Sequence, residues 1–283
     1  MFARQAIDDH VSRIVTLTTD FGNKDGYVAA LKATILQINP NATLIDISHA
    51  ISPHDVMEAA FVLRSAYPFF PDDTTHLVVV DPGVGTERRP LAMRKGRQYF
   101  VGPDNGLFAL VLDGDAPDEA VTLNRSAFWR TAEPSMTFHG RDIFAPVAAH
   151  LSIGREIAEL GEHNDSIASL HWALPISHDQ GIQGWVVHID AYGNCITNIA
   201  GDIFESGRFG RDIKCYVGNA ILEGIHSTYG DVASGEPLVV LNSSGLLEIA
   251  VNSGDARTLL DIRKGASVNL LFVEEKAAAR DAF

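Results

Sequence analysis

Residues 13–40 read RIVTLTTDFGNKDGYVAALKATILQINP, and this stretch decides the fold. Arg13–Thr19 reads as a buried strand, with an apolar or β-branched residue at every position after Arg13, and Asp20–Gly26 is a turn. Val28, Leu31, Ile35 and Ile38 then recur at helical spacing until Asn39-Pro40 ends the helix. The alternation continues outward. Thr43–Ile47 reads as a second strand, and Pro53–Ala66 as a second helix with Ser52 as its N-cap and Pro53 in its first turn. His76–Val80 (HLVVV) reads as a third strand, apolar throughout as a strand covered on both faces must be. This βαβαβ order predicts an α/β unit with a mostly parallel sheet and right-handed crossovers.

Beyond about Ile153 the pattern changes. A linker-like stretch, GEHNDSIASLHWALPISHDQG at 161–181, leads into strand-like runs at Ile182–Ile189, Cys195–Ile199, Ile213–Val217, Leu238–Leu241, Leu246–Val251 and Ser267–Phe272. Turns rich in Gly, Asn, Asp and Ser separate them, and no long helix is evident between them, which predicts an antiparallel, barrel-like all-β unit. The expected domains are 1–165 and 178–283, with the tail EEKAAARDAF solvated or a frayed helix.

The 283 residues suffice for two ordinary domains, and their 22 basic and 36 acidic side chains leave a net charge of −14. Nucleic-acid binding needs clustered Lys and Arg to displace counterions, so nucleic acid is not the expected partner. No apolar run reaches the ~18 residues of a membrane helix. The start MFARQAIDDHVSR lacks a signal-peptide core. Cys195 and Cys215 provide neither a disulfide framework nor metal-ligand spacing. A cytoplasmic protein without membrane attachment is expected.

Ligands of open α/β sheets bind beyond the carboxyl ends of the strands, and polar clusters fall at such points. The first, TTDFGNKDG at 18–26, carries Asp20 and Asp25, which can accept ribose hydroxyls or an ammonium group; equally, Asp20 can simply cap a turn. DFG here is no kinase signature, because too little chain precedes it. The second, VVDPGVGTERRP at 79–90, has glycines for close backbone approach, but Arg88 stands where a dinucleotide G-x-G-x-x-G needs its last glycine. Asp81 and Arg88 can pair and present a fixed guanidinium, or form a surface ion pair worth only ~0–1 kcal/mol. The third, TFHGRDIFAP at 137–146, offers His139 on a loop and Asp142 as a helix N-cap. A lone loop histidine is often incidental. GPDNG at 102–106 reads as a turn before a helix. In the second half, DAYGNCITN at 190–198 suits a small zwitterion, and NSSGLLEIAVN at 242–252 is a hydroxyl-bearing hairpin; both also read as ordinary turns.

The combination is more specific than its parts. TLTTDFGxxDGYVAxxK at 16–32, VVVDPGVGTxRR at 78–89, GPDNG at 102–106, FHGRDIFAP at 138–146, DxYGN at 190–194 and NSxGxLEIAVN at 242–252 occur in this order. Together they resemble the S-adenosyl-L-methionine hydroxide adenosyltransferases, relatives of the fluorinating and chlorinating enzymes that attack the same substrate with halide. The resemblance spans roughly residues 13–273. It implies an α/β domain followed by a barrel-like β domain, a homotrimer with each site shared between neighbouring subunits, and conversion of S-adenosylmethionine and water to adenosine and L-methionine with no cofactor and no metal. It implies a catalytic Asp81, Arg88 and His139. It assigns Asp20 to the ribose diol, Asp25, Asp190 and Asn194 to the methionine end, and Tyr229, Ser243 and Ser244 to adenine- and carboxylate-side contacts. Halogenating relatives place a tyrosine and a threonine where this chain has Asp81 and Val84.

That chemistry suits these residues. A sulfonium leaves as a neutral thioether and needs no proton donor, so the enzyme has to supply an in-line nucleophile. A fixed guanidinium favours hydroxide, histidine can take a proton near neutrality, and Asp81 can orient either one. Carboxylates welcome a cationic sulfonium. Three alternatives stay open: a non-catalytic adenosyl-ligand sensor, a halide-using 5′-adenosyl transferase, and a metal-dependent hydrolase built on Asp20, Asp25, Asp81 and His139.

Overall fold

The computed structural model describes residues 13–168 and 174–273. They belong to two compact units, Met1–Leu170 and His171–Phe283. The leading segment 1–12, part of the linker-like stretch (169–173) and the tail EEKAAARDAF lie outside the described residues.

The first unit runs β1 (Ile14–Thr19), α1 (Tyr27–Ile38), β2 (Thr43–Ser48), α2 (Val56–Ala66), β3 (Thr75–Val79), β4 (Pro90–Lys95), β5 (Gln98–Pro103), α3 (Ala109–Leu112), β6 (Glu119–Thr122), α4 (Ala145–Ser152) and β7 (Glu162–His163). Its sheet has the order β2-β1-β3-β5-β4-β6-β7 and is mixed and mostly parallel. The β2-β1-β3-β5 part is parallel, and β4, β6 and β7 extend it antiparallel. β3 and the residue after it show why the run from Leu77 to Val80 is apolar at every position. Leu77 and Val79 join the core that includes Leu31 and Ile35 of α1 and Ala148 of α4, while Val78 and Val80 pack on the other face with Ala59 and Leu63 of α2.

The second helix differs from the sequence reading. It begins at Val56, and its cap is Asp55, whose side chain accepts from the Glu58 N–H at 3.0 Å. Ser52 caps nothing, because His54 sits at φ +66°, a left-handed conformation through which no helix runs. Asp142 is also no N-cap. It lies inside a π-helical turn, Gly140–Phe144, that leads into α4, and its carboxylate faces two arginines.

His76 on β3 is fully buried, hydrogen-bonded from its Nδ1 to Thr16 Oγ1 at 2.8 Å and stacked on Phe100 with ring centroids 5.0 Å apart. Burial pushes its pKa down to about 4. The unfolded chain therefore binds a proton at pH values where the folded one does not, and stability falls as pH drops from about 6.5 towards 4. We expect wild type to lose about 2 kcal/mol between pH 7 and pH 5 from this group alone. Urea denaturation at the two pH values checks this, and a His76→Gln variant should flatten the difference.

The second unit contains β8 (Ile176–His178), β9 (Gly181–Ile189), β10 (Cys195–Ala200), α5 (Gly201–Arg208), β11 (Asp212–Val217), β12 (Ala220–Glu223), β13 (Pro237–Leu241), β14 (Leu246–Val251), α6 (Ala256–Leu259) and β15 (Ser267–Val273). Every strand pair is antiparallel, in the order β12-β11-β15-β9-β10-β14-β13 with β8 on β9. His226, just after β12, donates its N–H to Val239 O on β13 at 2.8 Å, so the two edges nearly close a barrel. The two-turn helix α5 is an addition to the strand-and-turn reading. Cys195 and Cys215 are buried free thiols, each pushed up to about 12 by burial, and so inert. No helix among the described residues is long and apolar enough to cross a membrane.

Candidate active site

In the first unit β1 lies between β2 and β3, so the chain leaves it towards one neighbour and returns on its other side. Beyond the carboxyl ends of β1 and β3 is the switch point at which open α/β sheets bind ligands. Thr19 pairs with Val79, which brings the segments carrying Asp20 and Asp81 side by side. A cleft of about 490 Å³ opens there, lined by Asp20, Phe21, Tyr27, Pro53, His54, Val79, Asp81, Val84 and residues 137–140.

Two of the lining side chains, Asp81 and His139, are joined through Arg88, which does not itself line the cleft. Arg88 Nε donates to Asp81 Oδ1 at 2.9 Å, and Arg88 Nη2 donates to Asp81 Oδ2, a two-pronged pairing. The same Nη2 lies 2.8 Å from His139 Nδ1. A guanidinium can only donate, so His139 Nδ1 must be the acceptor, and the ring proton of neutral His139 sits on Nε2. The Asp81 and Arg88 side chains are only 6% and 9% exposed, which removes this pair from the class of weak surface ion pairs. Arg88 Nη1 is buried and makes no hydrogen bond to protein, leaving a donor over. Burial, and then the Arg88 charge, push the His139 pKa below its ordinary value and keep the imidazole neutral.

The loops are built for this approach. Gly85, at φ +77°, lies so close to the loop before His139 that a Cβ there would stand 2.5 Å from Met136 O. Asn105 Nδ2 donates to Val80 O at 3.0 Å, and Arg89 Nε donates to the buried Asp104 at 2.9 Å, so the GPDNG turn braces the exit of β3. Asp142 accepts from the guanidinia of Arg130 and Arg141 and from Ser135 N–H, which ties down the segment that ends in His139.

Asp20 lines the cleft, with Oδ2 accepting from His54 N–H at 2.9 Å. Asp25 is exposed and does not line the cleft. With Asp25 outside and Asp81 engaged by Arg88, the four donors of the metal-hydrolase alternative do not converge. Among the described residues no group of three or more His, Cys, Asp or Glu is arranged to hold a metal ion. The sequence reading missed the aromatic wall. Phe21, Tyr27 and Phe138 pack edge to face with centroids 5.5–5.8 Å apart. Phe21 and Tyr27 flank the very turn that stands out for its carboxylates.

The second unit has its own cavity of about 650 Å³, lined by Asp190, Tyr192, Asn194, Tyr229 and residues 251–254. Asp190 Oδ1 accepts from the N–H groups of Tyr192 and Asn194, and Oδ2 from Asn194 Nδ2 at 3.0 Å, so this carboxylate first of all shapes its own turn. Gly193, at φ +84°, packs where a Cβ would stand 2.2 Å from Asp255. Ser243 and Ser244 lie on the β13–β14 turn and do not line this cavity.

Fold and site together define a two-unit enzyme whose α/β part holds a cleft where Asp20, Asp81 and His139 meet aromatic side chains, with Asp81 and His139 joined by a buried arginine. Models of the SAM hydroxide adenosyltransferase N-terminal and C-terminal domains match residues 15–161 and 184–269, and the chain belongs to this family. It is 39% identical over 271 residues to an (R)-S-adenosyl-L-methionine hydrolase of Thermus thermophilus, covering 92% of this chain and 100% of that one. It is 39% identical over 256 residues to another hydrolase of that name from Salinispora tropica, covering 89% and 95%. A crystal structure of an uncharacterized conserved protein from Thermotoga maritima superposes with a TM-score of 0.84 at 39% identity, covering 91% of this chain and 99% of that one. Fluorinases are more distant relatives, at 26% identity.

Proposed function

We propose that this chain hydrolyses S-adenosyl-L-methionine to adenosine and L-methionine, through in-line attack of a hydroxide-like water on ribose C5′. The observation that carries the reading is the Asp81–Arg88–His139 chain. Arg88 keeps a buried donor, Nη1, and His139 keeps its proton on Nε2. Two donors around one oxygen favour its anionic form. The oxygen–carbon bond forms as the carbon–sulfur bond breaks, sulfur leaves as a neutral thioether, one proton of the water passes to solvent, and the other stays on the 5′ oxygen of adenosine. His139 acts in this scheme as a donor to the nucleophile, in place of the proton-accepting role that histidine often has. Asp81 fixes Arg88 directly and His139 through it.

The remaining assignments follow the family pattern. Asp20 holds the ribose diol. Asp190 and Asn194 serve the methionine end, joined in the shared site of the trimer by Asp25, which stands outside the cleft of a single subunit, and Tyr229, Ser243 and Ser244 serve the adenine and carboxylate sides. The net charge of −14 favours a cationic substrate over a phosphorylated one. The reading includes a homotrimer with shared sites, a cytoplasmic location and no required cofactor or metal, since a neutral leaving group needs no Lewis acid.

The test is chromatography of purified protein incubated with S-adenosylmethionine. Adenosine and methionine should form in equal amounts and at an unchanged rate in chelator, and light scattering should give three times the subunit mass. A His139→Ala control should lower the rate at least about a hundredfold. Calorimetric binding without turnover would establish the sensor instead, and a 5′-halo product that grows with chloride would establish the halide transferase.

A further inference from the structure

Glu248 lies on β14, where Leu247, Ile249 and Val251 point into the barrel core, so Glu248 is on the outer face of the strand. It is nevertheless only 4% exposed. Its two oxygens are used by different elements. Tyr229 Oη–H donates to Oε1 at 2.8 Å, and Asn242 Nδ2 donates to Oε2 at 3.3 Å. Asn242 in turn accepts on Oδ1 from the N–H groups of Ser244 and Leu246, at 3.0 and 3.1 Å, which sets the β13–β14 turn. No Lys or Arg among the described residues makes an ion pair with Glu248.

A buried carboxylate without a cation is costly, and hydrogen bonds to its oxygens are what offset that cost. Two donors converge here from two directions, so both oxygens must accept. Glutamine can accept with only one of them, because its amide nitrogen would face the Asn242 amide, donor against donor. We propose that Glu248 is a positioning residue, which holds the Tyr229 side of the second unit's cavity and the turn bearing Ser243 and Ser244 in one fixed relation. Through it the Tyr229 hydroxyl is spent as a donor, and what Tyr229 offers a ligand is its ring face and an acceptor lone pair. Burial raises the Glu248 pKa and Asp190 adds to the shift, while the Tyr229 and Asn242 hydrogen bonds oppose it. The carboxylate form thus depends on those two donors as much as they depend on it.

This rests on the hydrolase reading for the identity of the ligand, and the test separates the two. Michaelis constants for S-adenosylmethionine and calorimetric Kd for adenosine are measured in wild type, Glu248→Ala, Glu248→Gln, Tyr229→Phe and the Ala/Phe double variant. Glu248→Ala should raise KM and Kd at least tenfold while kcat falls less than threefold. Glu248→Gln should recover part of that loss, and adding Tyr229→Phe to Glu248→Ala should worsen KM by less than twofold. A folded Glu248→Ala with unaltered KM and Kd, or one whose whole loss lies in kcat, overturns the proposal. If the alanine variant fails to fold, the isosteric glutamine carries the test, with at least a threefold rise required. Wild type that binds adenosine but makes none from S-adenosylmethionine refutes the hydrolase reading and leaves Glu248 to be judged on Kd. Wild type that does neither refutes both.

Discussion

Replacing Arg88 by lysine should lower kcat about a hundredfold to a thousandfold while leaving the fold nearly intact. Lysine keeps a positive charge beside the buried Asp81, so the cost of an unpaired carboxylate is avoided. What it loses is geometry. One ammonium cannot grip both Asp81 oxygens, donate to His139 Nδ1 and still keep a donor free, as the guanidinium does. Losing one preorganised donor to a developing charge costs about that much in kcat. Arg88→Ala would add a stability loss of about 3–5 kcal/mol from the abandoned Asp81. Steady-state kinetics beside melting curves separates the effects. An Arg88→Lys enzyme with wild-type kcat would remove Arg88 from the chemistry. The pH profile gives a second view. Burial and Arg88 hold the His139 pKa below its ordinary value, so the wild-type rate should decline only on the acid side of neutrality, where the imidazole gains a proton and can no longer accept from Arg88. Above that, the rate should climb as hydroxide becomes easier to form. In Arg88→Lys the acid decline should move.

Much of the first unit is open to reading because β1 and β3 are buried on both faces and α1 keeps a regular apolar stripe. β1, α1, β2 and β3 stand out as β-rich runs or period-3.6 patterns, even though β2 is an edge strand with Asp46 in its middle and no buried residue, and their observed limits differ from the readings by a residue or so. The start of α2 misleads because Ser52-Pro53 imitates a helix entry, whereas the competing signal, Asp55 three residues before Glu58, is also present and is the one used. The antiparallel extension through β4, β6 and β7 escapes the sequence reading, although its first turn carries a signal. Gly96 and Arg97 form the two-residue connection between β4 and β5, with Gly96 at φ +61°. α5 is hidden because it is only eight residues long and carries Gly201 and Gly207, which read as turn residues between two strands.

The site divides along a different line. Charged residues at strand ends can be singled out in the chain, but which of them face a common space is decided by turns. Asp20 and Asp81 meet across the neighbouring strands β1 and β3, whereas Asp25, only five positions from Asp20, is carried outward by the turn and its place at the cleft goes to Tyr27. Pro53 and His54 reach the cleft from a segment distant in sequence, and nothing in its local composition marks them as cleft residues, while Phe138 lies inside the third cluster but is overlooked beside its polar neighbours. Supporting groups are the least visible. GPDNG looks like any turn until Asp104 is seen closing on Arg89 and Asn105 on Val80.

Asp142→Asn should destabilise the protein by about 3–5 kcal/mol and lower kcat with it, because this one side chain secures the segment that carries His139. The carboxylate is 1% exposed and receives Arg130 Nε, Arg141 Nε and Nη2 (both at 2.8 Å), and Ser135 N–H at 2.9 Å. Asparagine keeps the volume but must turn an NH2 towards donors, which leaves a guanidinium hydrogen or the Ser135 amide facing another hydrogen. Although burial alone would raise the Asp142 pKa, the Arg141, Arg130 and Ser135 hydrogen bonds hold it well below the ordinary carboxylate range. A folded-state value depressed in this way contributes stability that is complete above the unfolded pKa, near 4, and is lost as pH falls from there. The gap between wild type and Asp142→Asn should therefore be constant from pH 7 to about 5 and close only below about 4. The His76 effect occupies the adjacent window above 4, so denaturation at pH 7, 5 and 3.5 resolves the two. A gap already closing at pH 5 would mean that the Asp142 carboxylate is not held by the two arginines, and that His139 is secured by something else.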